Sequence, residues 1–264
     1  MNDPQTWHYG LIAEWWAQFN TGGPEIDYFG RFVERGQPAL DAGCGTGRLL
    51  LPWLRAGFDV DGCDVSADMV ALAREHARGE GLEPTLFVQP LHELAAARRY
   101  RTVVVCGVFG LGTTRLQDQR ALVRLRDALE PGGTLLLDNQ VPYFYGKRWR
   151  QWTPEERARL PEPWPPPGER RRAADGSEYR LRSRAVEVDP LDQRIALEML
   201  AEKWIDDRPV GREEHTITIR MYFRDELVMM LERAGFTEVD VRGGYTDAEP
   251  TPDDEHLVFR ARRP

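Results

Sequence analysis

Between residues 38 and 139 short apolar runs alternate with segments of helical spacing, and no other feature of the chain restricts its fold as much. PALDAG (38–43), FDVDGCD (58–64), PTLFVQ (84–89), RTVVVCG (101–107) and TLLLDN (134–139) read as buried strands. Between them, RLLLPWLRAG (48–57) has helical apolar spacing ended by glycine. SADMVALAREHARGEG (66–81) offers Ser66 as an N-cap with Asp68 in the first turn, and RLQDQRALVRLRDALE (115–130) runs helically to a PGG turn at 131–133. A short helix or loop is expected near HELAAA (92–97). Five strand signals separated by helical connections imply a mostly parallel sheet with helices on both faces, a doubly wound α/β fold.

In such sheets ligands bind beyond the carboxyl ends of the strands, and DAGCGTGR (41–48) lies there, after the first strand and before a helix. Its glycines supply positive φ and let the backbone approach something closely. A dinucleotide fingerprint, GxGxxG, would place its third glycine at 48, where the chain has Arg48, and the Walker A pattern GxxxxGK[ST] is absent. As a bare pattern GxGxG fits a tight turn as well as a ligand loop. Its setting favours the ligand.

Asp41-x-Gly43-x-Gly45-x-Gly47, followed by Asp64 at the end of the second strand, resembles the cofactor site of the class I S-adenosylmethionine-dependent methyltransferases. The resemblance covers residues 38–138 and resumes after 223, where FRDELVMMLERAGF, EVDVRGG and EHLVFRARR look like that family's last helix and closing strand pair. It implies a seven-stranded Rossmann-like sheet of order 3-2-1-4-5-7-6, closed by a reversed strand where a nicotinamide-binding domain would add another parallel unit. It also implies S-adenosylmethionine as cofactor. By the same resemblance Gly43, Cys44, Gly45 and Gly47 lie beside its methionine part, with Asp41 near the ammonium and Cys44 as filler. Asp64 accepts hydrogen bonds from both ribose hydroxyls, and Val65 and Met69 flank the adenine. At the adenine edge, where the family often has Asp, this chain has Leu91, which leaves the edge to backbone groups or to His92. Cys106 to Phe109 are expected to face the sulfonium and the acceptor.

What the chain adds to that core is expected to hold the acceptor. After Asn139 an irregular segment rich in proline and aromatics is followed by three alternating stretches, 178–188, 193–205 and 212–223. The turns between them are Asp189-Pro190-Leu191-Asp192 and Asp206-Asp207-Arg208-Pro209. Alternation with turn residues between predicts a three-stranded antiparallel meander. The expected organisation is amino-terminal lid helices over 1–36, a cofactor-binding core over 37–139 and 221–264, and an inserted substrate cover over 140–220. Tyr9, Trp15 and Trp16, in WHYGLIAEWWAQFN, are candidates to reach the cofactor, and core packing fits any one of them equally.

Methyl transfer from a sulfonium asks mainly for collinear positioning and exclusion of water, and a base matters only if the nucleophile arrives protonated. His92, His215, Tyr143, Tyr222 and Glu198 are base candidates by location. Arg220 is expected to bind an acceptor carboxylate or phosphate, or else to pair with a glutamate such as Glu198. His215, Tyr222 and Arg220 are the catalytic set this reading selects.

The chain has 264 residues and a formal net charge of −8, which argues against a general polyanion binder. RRR (170–172) and RLRSR (180–184) form a local basic cluster that keeps RNA methylation as the alternative, although CGVFGLG stands where base-methylating relatives carry an NPPY-like tetrapeptide. A catalytically silent cofactor-binding protein is the other alternative, and retention of Asp41, Gly43, Gly45, Gly47 and Asp64 opposes it. Apolar runs are too short for a membrane span, and MNDPQTWHYG does not read as an export signal. Cys44, Cys63 and Cys106 include no CxxC pair and suggest neither a disulfide framework nor a zinc site. A cytoplasmic enzyme acting on a small-molecule acceptor is the expectation, with the oligomeric state left open.

Overall fold

In a computed structural model that describes Thr6 and residues 8–264, two helices, α1 (Gly10–Phe19) and α2 (Glu25–Arg35), precede the alternating region. That region forms β1 (Ala39–Ala42), α3 (Leu50–Arg55), β2 (Val60–Asp64), α4 (Ala67–Gly79), β3 (Leu86–Val88), β4 (Tyr100–Val105), α5 (Arg115–Ala128) and β5 (Leu129–Gln140). The segment near HELAAA is a single 3-10 turn, Leu91–Glu93. Ser66 caps α4 by accepting the Met69 N–H at 3.1 Å, and Thr114 and Gln117 close a capping box on α5. The PGG turn interrupts β5 rather than preceding it. Tyr100 faces Leu129 and Thr102 faces Thr134, so the residues between bulge out of the ladder.

After β5 come the short helices α6 (Gly146–Arg150) and α7 (Pro154–Arg157), then β6 (Arg171–Arg172), β7 (Glu178–Asp189), β8 (Arg194–Ile205) and β9 (Arg208–Arg220). The chain ends with α8 (Arg224–Arg233), β10 (Thr237–Gly243) and β11 (His256–Arg262). The main sheet has the order β3-β2-β1-β4-β5-β11-β10, with β11 antiparallel to both neighbours. Counted within this sheet alone, that is the expected 3-2-1-4-5-7-6.

Both faces of the sheet are covered, which is why its strands read as unbroken apolar runs. Val103, Val105, Leu135 and Leu137 point to the α5 and α8 side, where Leu122, Leu125, Leu227 and Leu231 meet them. Val104 and Leu136, one step along, point to the α2 and α3 side, against Phe29, Val33 and Trp53.

The inserted strands form a separate antiparallel sheet, β6-β7-β8-β9. The expected meander is present with a fourth strand, β6, whose two residues are too few to show alternation. The β8–β9 hairpin turns on Asp206 and Asp207 alone, at φ 47° and 60°, so Arg208 and Pro209 already belong to the strand. Proline is tolerated there because β9 is an edge strand. Leu11 and Ile12 of α1 pack on this sheet against Leu197, Met199 and Ile217.

The roof is stapled to the core by the loop after β4. Leu111 bridges Ile219, Gly112 N–H donates to the Thr218 carbonyl at 2.7 Å, and Arg220 N–H donates to the Gly110 carbonyl at 2.8 Å. Gly110 has φ +81°, and a Cβ there would lie 2.6 Å from the Arg220 carbonyl oxygen, so the approach requires glycine. Among the described residues no helix is long and apolar enough to cross a membrane.

Candidate functional site

The glycine loop is pinned to β2 at its start, where the N–H groups of Gly43 and Cys44 both donate to the Cys63 carbonyl, at 2.7 and 2.9 Å. Gly43 has φ +100°, and a Cβ would lie 2.4 Å from Val108 Cγ2. The Asp64 carboxylate then receives Gly45 N–H on Oδ2 at 2.9 Å and Ser66 N–H on Oδ1 at 2.8 Å. Burial raises its pKa, and these backbone donors oppose the rise. Each oxygen keeps acceptor capacity beyond its one backbone bond.

Asp41 is buried, with Oδ2 lacking any hydrogen-bond partner. Burial, then the nearby Asp64 charge, raises its pKa to about 7. Arg48, at the loop's end, pairs with Glu25.

Three adjoining chambers with shared wall residues lie at the carboxyl end of the sheet. The glycine-loop chamber, about 290 Å³, is lined by Asp41, Gly43, Cys44, Gly45, Arg48, Asp64, Met69 and Cys106. A narrower chamber of about 80 Å³ continues from it along Val65, Leu91, His92 and Phe109. Beneath the inserted sheet a roof chamber of about 280 Å³ is lined by Asp138, Asn139, Gln140, Tyr145, Arg148, Arg220 and His256. Val108 and Leu111 line all three, and Gly107 lines the glycine-loop and roof chambers.

Most residues singled out in the sequence line the first two chambers, but Gly47 and Tyr9 do not. Gly47, at φ +93°, would place a Cβ 2.8 Å from Leu51 Cγ and serves the packing of α3. Tyr9 is half exposed and stacks on His215, ring centroids 3.8 Å apart. Its backbone is extended, so His8 turns the other way and lines both chambers, with its pKa lowered to about 4 by burial. Residues 1–5 and Trp7 of the expected lid lie outside the described residues. Trp16 lines the glycine-loop chamber, and Trp15 packs on Phe19.

The three residues selected as catalytic are not brought together. His215 lies under Tyr9, 3.2 Å from Glu213, and lines none of the chambers. Tyr222 is fully buried and lines none of the chambers, and its hydroxyl donates to Asp118, in the first turn of α5 at the wall of the narrow chamber. Arg220 does line the roof chamber, but its guanidinium holds Asp192 at 2.9 and 3.1 Å. Arg220 faces Arg194 at the open end of the β8–β9 hairpin, away from its turn, while Glu198, four residues along β8, faces Thr216 and binds Arg184. Tyr143 is exposed away from the chambers. Tyr222→Phe is therefore expected to cost about 1–3 kcal/mol of stability in urea unfolding, by leaving buried Asp118 short of a donor, with cofactor affinity retained. Loss of cofactor affinity in a variant of normal stability would contradict this placement.

Sequence reasoning passed over Asp138, Tyr245 and His256. Asp138 ends a buried strand as Asp64 does, a signal that was available. Its Oδ1 accepts Gly107 N–H at 2.6 Å, and its Oδ2 accepts the Tyr245 hydroxyl at 2.7 Å and the Cys106 thiol at 3.2 Å. His256 stacks on Tyr245 and is delivered by β11, where it faces Gln140.

Residues 39–133 match a family described as a methyltransferase domain. Over 97% of this chain and 99% of its own length, a Geobacillus sp. (strain WCH70) protein described as a methyltransferase is 23% identical. The sugar N-methyltransferase KedS8 from Streptoalloteichus sp. ATCC 53650 superposes with a TM-score of 0.66, at 18% identity, over 100% of this chain and 99% of that one. CalS10, an amino pentose methyltransferase from Micromonospora echinaspora solved with S-adenosylmethionine bound, gives 0.61 at 20% identity, over 98% and 99%. The family match runs through the glycine loop and β1 to β4, the part of the sheet on which the first two chambers open. Over that segment the chain resembles a methyltransferase domain, and its Rossmann-like fold is the one these solved methyltransferases share.

Proposed function

We propose that the protein methylates a nitrogen or oxygen of a small metabolite held in the roof chamber. The observation that carries this reading is the position of that chamber. It lies under the inserted sheet and shares Gly107, Val108 and Leu111 with the glycine-loop chamber. When bound, the cofactor supplies an electrophilic methyl group for in-line displacement.

The residues present fit such a ligand. The orphan Oδ2 of Asp41 suits an ammonium, and the free acceptor positions of Asp64 suit a ribose diol. Gly45 lines the chamber, and a Cβ on it would meet no protein atom within 4 Å, so its backbone is open to close approach. Val65, Leu91 and Phe109 give the narrow chamber apolar walls for a purine, with His92 at its edge beside Gln117, 3.3 Å away. Residues 37–139 and 221–264 then act as the cofactor core, 140–220 as the cover that excludes water, and α1 with α2 as the lid.

The arginine cluster supports a metabolite over RNA. Arg170 and Arg172 pair with Glu178, Arg170 also with Asp207, Arg180 and Arg182 with Glu202, and Arg184 with Glu198, so every arginine of the cluster except Arg171 already has a carboxylate partner. Arg170 and Arg180 also lie over Trp204, and Arg184 over Trp164. A chamber of about 280 Å³ sits at the small end of ligand pockets, which span roughly 300–1,000 Å³. The similar structures include enzymes named for sugar and amino pentose methylation. The cytoplasmic reading accords with three buried, unpaired cysteines.

The test is to assay S-adenosylhomocysteine release with cell extract divided by ultrafiltration into small-molecule and macromolecular fractions. Turnover is expected from the small fraction. Turnover confined to the macromolecular fraction and abolished by ribonuclease would replace this reading with RNA methylation.

A further inference from the structure

The roof chamber is lined by two charges of opposite sign, Asp138 and Arg148, that have no ion-pair partner among the described residues. Asp138 is buried at the end of β5, and its three partners, Gly107 N–H, the Tyr245 hydroxyl and the Cys106 thiol, are all neutral. The cation beyond Cys106, Arg48, is already taken by Glu25. A buried carboxylate served only by neutral donors is left with an electrostatic demand that a cation satisfies. Arg148, on α6, lines the same chamber, and among the described residues it forms no ion pair. Its guanidinium carbon lies over the Tyr145 ring, 5.3 Å from the centroid, and among the described residues its N–H groups donate no hydrogen bond, so they are available to a ligand.

The other charged groups nearby are occupied. Arg220 is held by Asp192, while Glu255, which does not line the chamber, accepts from the Tyr145 hydroxyl and from Gln140 at 3.0 Å and has the chamber-lining His256 3.9 Å away. The two uncompensated charges also differ in place. Asp138 bonds directly to Gly107, which lines both the glycine-loop and roof chambers, whereas Arg148 lines the roof chamber and not the other two.

From this arrangement we propose that the acceptor is a small zwitterion. Its amine is held beside Asp138 and takes the methyl group on nitrogen, and its carboxylate, sulfonate or phosphate is received by Arg148. This rests on the small-molecule reading above. The ammonium, bound by Asp138, sheds one proton to water. The freed lone pair forms the new nitrogen–carbon bond, the carbon–sulfur bonding pair stays on sulfur, and the methylated nitrogen keeps the positive charge. Asp138 positions the amine at the junction, and Arg148 determines which amines enter.

Two measurements test the proposal. First, the small-molecule extract is treated with acetic anhydride, which acylates amines, and is assayed beside an untreated portion for S-adenosylhomocysteine release. Acylation is expected to abolish turnover. Second, wild-type protein and Arg148→Gln, each loaded with S-adenosylhomocysteine, are dialysed to equilibrium against the untreated extract, and the retained molecules are identified by mass. Wild type should retain a molecule bearing both an amine and an acidic group. Arg148→Gln should retain it roughly tenfold less or worse and raise the apparent KM by a similar factor, with Arg148→Lys intermediate, as expected for a lost charged hydrogen bond. Its thermal stability should stay close to wild type, because among the described residues Arg148 has no ion pair to lose and only the half-exposed contact with the Tyr145 ring goes. Turnover that survives acylation, or retention and KM unchanged in Arg148→Gln, overturns the zwitterion and leaves the small-molecule reading standing. Turnover found only in the macromolecular fraction removes both.

Discussion

Asp64→Ala is expected to weaken S-adenosylhomocysteine binding by at least about a hundredfold and to abolish the ligand's effect on the melting temperature. The charge-assisted bonds to a ribose diol are worth about 1.5–3 kcal/mol each, and losing two corresponds to a hundredfold or more in affinity. The loop suffers as well, because Gly45 and Ser66 lose the acceptor that orders them. For wild type, ligand at 100 times its dissociation constant stabilises by about 2.7 kcal/mol, so the contrast is large enough for a thermal scan. Asp64→Asn separates charge from shape. It keeps one carbonyl acceptor but turns an NH₂ toward a backbone N–H, so it should bind more weakly than wild type and retain more affinity than alanine. An alanine variant with wild-type affinity in calorimetry would show that the carboxylate serves only the loop.

Below neutral pH, affinity for S-adenosylhomocysteine should climb with pH and then level near pH 7, because of Asp41. Its pKa is raised from 3.8 to about 7 in the ligand-free fold, chiefly by burial and then by Asp64. A carboxyl raised in the folded state favours the protonated form there. Asp41 therefore lowers folding stability progressively as pH rises from about 4 to about 7, on the order of 4 kcal/mol in all, and has no further effect above that. An ammonium against its unpartnered Oδ2 reverses the preference, so binding near pH 6 should release about one proton and binding above pH 8 none from this group. Calorimetry in two buffers of different ionisation enthalpy counts that proton. Asp41→Asn should flatten the stability profile, raise stability at alkaline pH and bind ligand weakly at every pH. A wild-type affinity independent of pH across this range would show that Asp41 does not meet the ammonium.

The parallel core was legible because burial on two faces imposes a pattern within each strand. Val103 to Val105 and Leu135 to Leu137 have no polar alternation to preserve, since the two sides of the sheet are covered by different helices. The meander was legible for the opposite reason, one face against α1 and one more open. What escaped was short or irregular, such as the two-residue β6 and the PGG bulge within β5. In the site, Asp64 and the glycine loop were legible because they sit at consecutive strand ends. His215 and Arg220 were placed on the right strand, whereas Tyr222, expected in the same strand, falls in the connection just after β9. Alternation alone does not say what covers a face, and the occupants proved to be Tyr9, Asp118 and Asp192.

The sequence by itself determined the alternation of core strands and helices, the glycine loop and the acidic end of β2, because each depends on residues close along the chain, while the strand order was implied only by the family resemblance. Only the tertiary structure decided the roof chamber. Asp138 meets Tyr245 across 107 residues of chain because β11 runs antiparallel beside β5. Gly110 and Gly112 meet β9 because an edge strand has backbone groups to offer. Arg148 lines that chamber with no ion-pair partner among the described residues, because α6 sets it there while Arg220 beside it takes Asp192. Which charges find partners is a property of the whole packed chain. A local stretch of sequence carries the charge, and the packing of distant elements settles whether it is neutralised or left for a ligand.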